Sequence, residues 1–193
     1  MFICGLLKPT ESGTMKHNPD SPEFSTAEVA GAAGLPVETL RTWIKRGDIA
    51  LVHDTPDRFT PGTGGRRLFT FRRSLNICLA AELVRNSISV KEASKIALEF
   101  TDMGGNAGGY REGELVDELK NVRLPGDLFP DDTTILVVRF PSDGGEPDAK
   151  VERLKDAKDA LFHIAGKNCR SVLLIDIDDI YARATAKLQH YRN

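Results

Sequence analysis

From residue 24 onward the apolar positions recur with helical spacing, broken at regular points by glycine and proline. Ser25 and Glu28 stand at capping-box spacing ahead of Val29, Ala30, Ala32 and Ala33, which predicts a short helix ended by Gly34. After Leu35-Pro36, the residues Val37, Leu40 and Ile44 recur at i, i+3, i+7 and predict a second helix to Arg46, with Gly47 as its stop. Those three positions must face inward. Glu38, Thr39, Arg41, Thr42 and Lys45 are then outward or flanking, and Arg46 lies near the helix end. Two short helices around a glycine-containing turn make a helix-turn-helix, whose second helix can enter a DNA major groove.

Between residues 51 and 69 the pattern changes to short apolar pieces around a Pro- and Gly-rich middle, Pro61-Gly62-Thr63-Gly64-Gly65. That is what a hairpin with a long tip, a wing, requires. Alternation at its end places Leu68 on one face and Arg67 and Phe69 on the other. A third helix, about 71–85, is apolar almost all round and is expected to be buried. Ser89 and Glu92 repeat the capping-box spacing ahead of a fourth helix with Val90, Ala93, Ala97 and Phe100 on one stripe. Four glycines between Gly104 and Gly109 read as a flexible joint. A short helix over 111–122 is expected next. Then come a strand over 133–140, a helix over 148–166, a strand over 171–176 and a helix over 178–191. Because the strands are dense in Val, Ile and Leu, this predicts a small parallel β-α-β unit with a trailing helix. The fold class is therefore α+β: a four-helix winged helix-turn-helix followed by a small α/β part with a β-α-β-α pattern.

Charge sharpens this picture. The net charge of −2 argues against a nucleic-acid partner until it is divided along the chain. Residues 24–100 hold 11 Lys/Arg against 8 Asp/Glu, whereas residues 101–193 hold 13 against 17. The basic half is the half with the helix-turn-helix. With 40% apolar and 28% charged residues, the chain has the composition of a globular protein. Cys4, Cys78 and Cys169 are odd in number and far apart, which suggests neither a disulfide framework nor a zinc site. The run Phe2 to Leu7 is too short to span a membrane and has no charged leader, so a cytoplasmic location is expected. Residues 1–23 are expected to be a mobile tail, within which Met15 is an alternative start to Met1.

The run from Phe24 to Ala30, then Gly34-Leu35-Pro36, Thr39-Leu40-Arg41-Thr42-Trp43-Ile44-Lys45-Arg46-Gly47, Gly65-Arg66-Arg67-Leu68-Phe69 and Ile88 to Ala93 resembles the DNA-binding domain of the mercury-resistance regulator (MerR) family. The resemblance implies a winged helix-turn-helix over residues 24–100 that binds double-stranded DNA. Arg41 would be its groove-facing arginine and Arg67 its wing arginine on the DNA backbone. Thr42 and Trp43 occupy the positions of the family's two aromatics, and Thr42 departs from that pattern. A DNA-contacting set of Thr39, Arg41, Thr42, Lys45, Arg46, Arg58, Arg66 and Arg67 follows. The glycines after Phe100 interrupt the path of the family's long dimer helix. Its metal-binding cysteines have no counterpart here either, so no metal or cofactor is expected.

Other motifs weigh less. Trp43 reads as core or rim, and Arg72 and Arg73 as solvent-facing. Asp176-Ile177-Asp178, at the end of a strand, could hold Mg²⁺ in a small enzyme. Asp178 or Asp179 as an N-cap in the first helical turn explains the aspartates more simply, and no enzymatic activity is expected. Gly104 to Gly109 lacks the Lys-Ser/Thr of a phosphate-binding loop. His17, His53, His163 and His190 have no evident catalytic companions. The reading that results is a bacterial or phage-type transcription regulator acting as a homodimer. Residues 101–124 are expected to be a linker, and 125–193 a dimerisation or regulatory domain open to an effector or second protein. An excisionase-like architectural factor is the alternative within the same DNA-binding chemistry.

Overall fold

The computed structural model describes residues 19–49, 58–59, 67–104, 123–157 and 169–190. A two-residue strand β1 (Phe24–Ser25) leads into α1 (Thr26–Ala33), and α2 (Val37–Arg46) follows. Strands β2 (Arg58–Phe59) and β3 (Arg67–Phe69) precede α3 (Phe71–Arg85) and α4 (Val90–Thr101). The second half contains β4 (Thr134–Pro141), β5 (Asp148–Arg153), β6 (Cys169–Asp176) and a last helix, which we call α5 (Ile177–His190). The fold is α+β, as the sequence predicts.

The helix boundaries follow from local chemistry. At α1, the Glu28 amide donates to Ser25 Oγ (3.4 Å) and the Ser25 amide donates to Glu28 Oε2 (2.6 Å), a complete capping box. Gly34 ends the helix at φ 65°, where a Cβ would also meet Arg85 Nη2 at 2.9 Å. Gly47 closes α2 in the same way at φ 71°. Thr70 and Ser89 cap α3 and α4 through their side chains.

Helix α3 is the centre of the molecule, with 11 of its 15 residues buried. Its polar residues are provided for: Asn76 Nδ2 donates to the Ser94 carbonyl (3.4 Å) and to Thr101 Oγ1 (3.3 Å), which ties α3 to α4. The expectation that Arg72 and Arg73 face solvent is corrected. Arg73 is 2% exposed. Arg72 grips Asp20 through Nε (3.0 Å) and Nη2 (3.2 Å) and donates to the Thr101 carbonyl. The first turn of α3 is largely covered, so Arg72 and Arg73 each interact with partners within the fold. The Glu23 amide donates to the Phe69 carbonyl (2.9 Å), so Asp20 and Glu23, read from sequence as part of a tail, are both anchored.

The predicted parallel β-α-β unit is also corrected. β5 and β6 both run antiparallel to β4, one on each side, in the order β5-β4-β6. Residues 148–153, expected to begin a helix, form β5 instead, and the helical stretch starts at 154–157. The strand is hard to see because Asp148, Lys150 and Glu152 alternate with Ala149, Val151 and Arg153, and the charges mimic an exposed helix. On the sheet those charges share one face: Arg139 pairs with Asp148 (3.1 Å) and Lys150 with Glu152 (2.9 Å).

One face of this sheet packs on the N-terminal helices. Leu136, Val138, Val151 and Ile175 join a single hydrophobic cluster with Val29, Leu40, Ile77, Leu79 and Phe100. Helix α5 packs on both α1 and α3. Tyr181 meets Phe71 edge-on at 5.6 Å, and Phe71 in turn lies 6.3 Å from Phe24. On the other sheet face, Ala157 closes over Ile135, Val137 and Val172.

Two charged groups hold helix ends at a distance. Helix α1 has no basic residue in its own last turn. Arg85 donates to the Ala33 carbonyl (2.6 Å) and Lys187, from α5, to the Gly31 carbonyl (3.1 Å). At the end of α4, the buried Arg123 guanidinium donates to the carbonyls of Glu99 (3.0 Å), Phe100 (2.9 Å) and Met103 (2.6 Å) and lies over the Phe100 ring. Burial lowers its pKa to about 10.

Two outcomes follow from the shared core. Leu188→Ala, in α5 at 1% exposure, is expected to cost about 2–5 kcal/mol and to lower the urea midpoint of the whole chain in one transition. Glu99 has its pKa raised, first by burial and then by the nearby Asp148 charge. The folded state therefore favours protonated Glu99, a stabilisation present at acid pH and lost as pH rises through the raised folded value. Glu99→Gln should raise the melting temperature at neutral pH and change it little near pH 4, as read by thermal melts at the two pH values.

Candidate nucleic-acid interface

The inward stripe of α2 sets its outward face. Leu40 is fully buried and Trp43 is 7% exposed, while Val37 and Ile44 pack against the core at its edge. Trp43 is thus a core residue. Arg41, Thr42, Lys45 and Arg46 are all exposed and Thr39 is half-buried, so five of the eight predicted contact residues lie along one helix. Helix α2 packs on α1, and α5 packs against α1 and α3. Among the described residues the outer face of α2 carries no covering element.

The side chains of this face already interact with one another. Glu38, one turn before Arg41, makes an exposed ion pair with Arg41 Nη1. Thr42 Oγ1 donates to the Glu38 carbonyl (2.8 Å). Such surface pairs are worth at most about 1 kcal/mol, so a phosphate or guanine can displace Glu38 from Arg41. Glu38 also puts a negative charge on an otherwise basic face. Its exposure follows from the same periodicity that exposes Arg41, but reading the sequence for positive charge passes over it.

Where the wing is expected, β1, β2 and β3 form a three-stranded antiparallel sheet in the order β1-β3-β2. Its register sets Phe24 opposite Phe69, Arg58 opposite Leu68 and Phe59 opposite Arg67. The β1 strand, too short to show in the sequence pattern, fixes the wing to the start of α1. Phe69 is buried and Arg67, two residues before it, is half-buried with an interaction of its own within the chain. Arg66, the hairpin tip, His53 and His163 lie outside the described residues, as do the glycine run from 105 and the expected helix over 111–122.

The remaining candidate chemistry is structural. Asp176 Oδ1 accepts from the Asp179 amide (3.1 Å) at the start of α5, and Asp178 Oδ1 accepts from the Thr134 amide (3.2 Å). The cap is therefore Asp176, not Asp178 or Asp179. Asp178 instead binds the helix to β4. Among the described residues no group of three or more His, Cys, Asp or Glu could hold a metal ion. Cys78 is buried, and burial pushes its thiol up to about 12. No helix among the described residues is long and apolar enough to cross a membrane.

Taken together, the described residues give a helix-turn-helix with an exposed, mainly basic second helix beside a small antiparallel sheet. Residues 24–99 match the family model described as MerR HTH family regulatory protein. The match spans 76 of the 193 residues, from β1 through nearly all of α4. This segment is therefore a MerR-type helix-turn-helix, the DNA-binding part of transcription regulators. No curated protein matches the chain.

Removing the acidic charge from the α2 face gives a direct test of its electrostatics. Glu38→Gln is expected to tighten DNA binding about three- to tenfold at low salt, an advantage that shrinks as salt rises. Fluorescence anisotropy titrations across a salt series measure it.

Proposed function

We propose that this protein is a sequence-specific transcription regulator of bacterial or phage type that places α2 in the major groove of double-stranded DNA and sets the wing against the backbone. The observation that carries the reading is the outward face of α2. Arg41, Thr42, Lys45 and Arg46 project from a helix held by Leu40 and Trp43, on a segment with a MerR-type match. Arg41 has the reach and donor geometry to read guanine O6 and N7 once it leaves Glu38. Thr42 offers a methyl and a hydroxyl in place of a planar ring, which suits a thymine methyl or a phosphate. Thr39, Lys45 and Arg46 supply further contacts on α2, and Arg58, Arg66 and Arg67 contact the backbone from the wing.

A net charge of +3 over residues 24–100 supplies little non-specific affinity, so two copies on a two-fold site are the economical arrangement. The chain acts as a cytoplasmic homodimer, with residues 125–193 serving dimerisation or contact with an effector or second protein. The helix-turn-helix belongs to a regulatory, not an enzymatic, family of domains, and Asp176 and Asp178, the carboxylates that suggested Mg²⁺ chemistry, each give one oxygen to a backbone amide.

Genome-wide binding-site selection with wild type, Arg41→Ala and Arg67→Ala tests the docking. Arg41→Ala is expected to lose about 1–3 kcal/mol and to relax preference at one base pair. Arg67→Ala should weaken all sites alike and reduce the salt slope by about 1. If both variants select the same DNA as tightly as wild type, this docking is wrong.

A further inference from the structure

Glu38 shares a stripe of α2 with three of the residues assigned to DNA. Positions 38, 41, 42 and 45 recur at i, i+3, i+4 and i+7, so the carboxylate lies on the face that carries Arg41, Thr42 and Lys45. Its side chain is 78% exposed, against 61% for Arg41. Glu38 also stands in the first turn of the helix. In a helix-turn-helix the N-terminal residues of the second helix are the ones that meet base edges.

Docking then has a consequence for this carboxylate that it does not have for the cations. When Arg41 exchanges Glu38 for guanine O6 and N7, Glu38 is left as a lone charge in a groove where much of its water is displaced. Such a charge is costly until another donor replaces the arginine. The helix supplies none. Thr42 Oγ1 donates to the Glu38 carbonyl (2.8 Å), so its proton is committed to the backbone. Lys45 is seven positions on, outside the i, i+3 and i, i+4 spacings at which helical side chains meet.

The donor must therefore come from the DNA, and few groups qualify. Phosphate oxygens, guanine N7 and O6 and thymine O4 are all acceptors. The donors on the major-groove edge are the amino groups of cytosine, at N4, and adenine, at N6. Adenine sets its N7 acceptor beside the amino group, where it repels a carboxylate; cytosine has no acceptor on that edge. Position along the helix narrows the choice further. Three residues of α-helix advance about 4.5 Å, close to the ~3.4 Å between successive nucleotides along a strand. Glu38 thus reaches the base pair next to the one read by Arg41.

We propose that Glu38 is a specificity-determining residue: when Arg41 takes guanine, the released carboxylate accepts from the N4 amino group of a cytosine in the adjacent base pair. This rests on the docking of α2 in the major groove proposed above and adds a second base to it. The reading has a signature in base order, because glutamine carries a donor beside an acceptor and is the complement of adenine N6 and N7.

Selection from a randomised duplex library with full-length wild type, Arg41→Ala, Glu38→Gln and Glu38→Ala tests it. Anisotropy titrations at one salt concentration follow, on the selected duplex and on the three that differ from it beside the guanine. Wild type is expected to select a guanine that Arg41→Ala loses, with cytosine beside it, adenine second, and guanine and thymine last. Glu38→Gln should move the preference at that position from cytosine to adenine. Glu38→Ala should reduce the cytosine preference about fivefold or more, and both variants should keep the guanine. The general tightening expected for Glu38→Gln is common to all four duplexes and cancels in these ratios. Circular dichroism checks that each variant is folded. The proposal is overturned if both Glu38 variants keep the base order of wild type, which would make Glu38 a source of general repulsion. It is overturned equally if only the guanine preference changes, which would make Glu38 a positioning group for Arg41. Either result, with an Arg41-dependent guanine in the wild-type site, leaves the docking of α2 standing. A wild type that selects no sequence overturns the docking and this proposal together.

Discussion

A helix that is apolar on every side must be covered on every side, and α3 imposes that condition on the rest of the molecule. The short helices α1 and α2, the wing and α4 are too few to enclose it. Helix α5 and the β4–β6 sheet complete the enclosure, so the basic and acidic halves of the chain share one hydrophobic cluster. Burial of this kind stabilises by roughly 25 cal/mol per Å² of apolar surface, and α3, which packs on α1, α4 and α5, has all of it only when both halves are folded. Helix α2, which packs on α1, is thus held by a scaffold that extends to α5.

The same coupling operates through charge. The final carbonyls of a helix need donors, and α1 and α4 obtain theirs from distant side chains: Arg85 and Lys187 for the first, Arg123 for the second. Each bond satisfies a helix end and also fixes the position of the element that supplies the cation. Lys187 joins α5 to a helix more than 150 positions earlier in the chain. A displacement of α5 would act on α1 and through it on α2, with no direct contact to the outward face of α2.

How much of this is legible in the sequence depends on whether the signal is local. Caps and glycine stops are local, so α1, α2 and α3 stand where Ser25, Gly34, Gly47 and the apolar periodicity place them. The exposed stripe of α2 is legible for the same reason, and with it Arg41, Thr42, Lys45 and Arg46. What the sequence hides is settled by pairing across long separations. The charged alternation in Asp148-Ala149-Lys150-Val151-Glu152 reads as a helix until β4 is beside it, and β1 is only a strand because β3 lies next to it. Arg72 and Arg73 look like surface residues because their partners, or the burial itself, come from elsewhere in the fold. Glu38 was legible as an exposed residue; its importance to Arg41 emerges from the geometry of the pair.

Arg123 has a bearing on how this protein can change over evolutionary time. Its guanidinium holds the carbonyls of Glu99, Phe100 and Met103 on one side and those of Leu124 and Asp127 on the other. The two ends of the intervening stretch are therefore clasped whatever lies between them. Sequence change that leaves Arg123 in place leaves these bonds in place, whereas any replacement of Arg123 removes a donor from all five carbonyls at once.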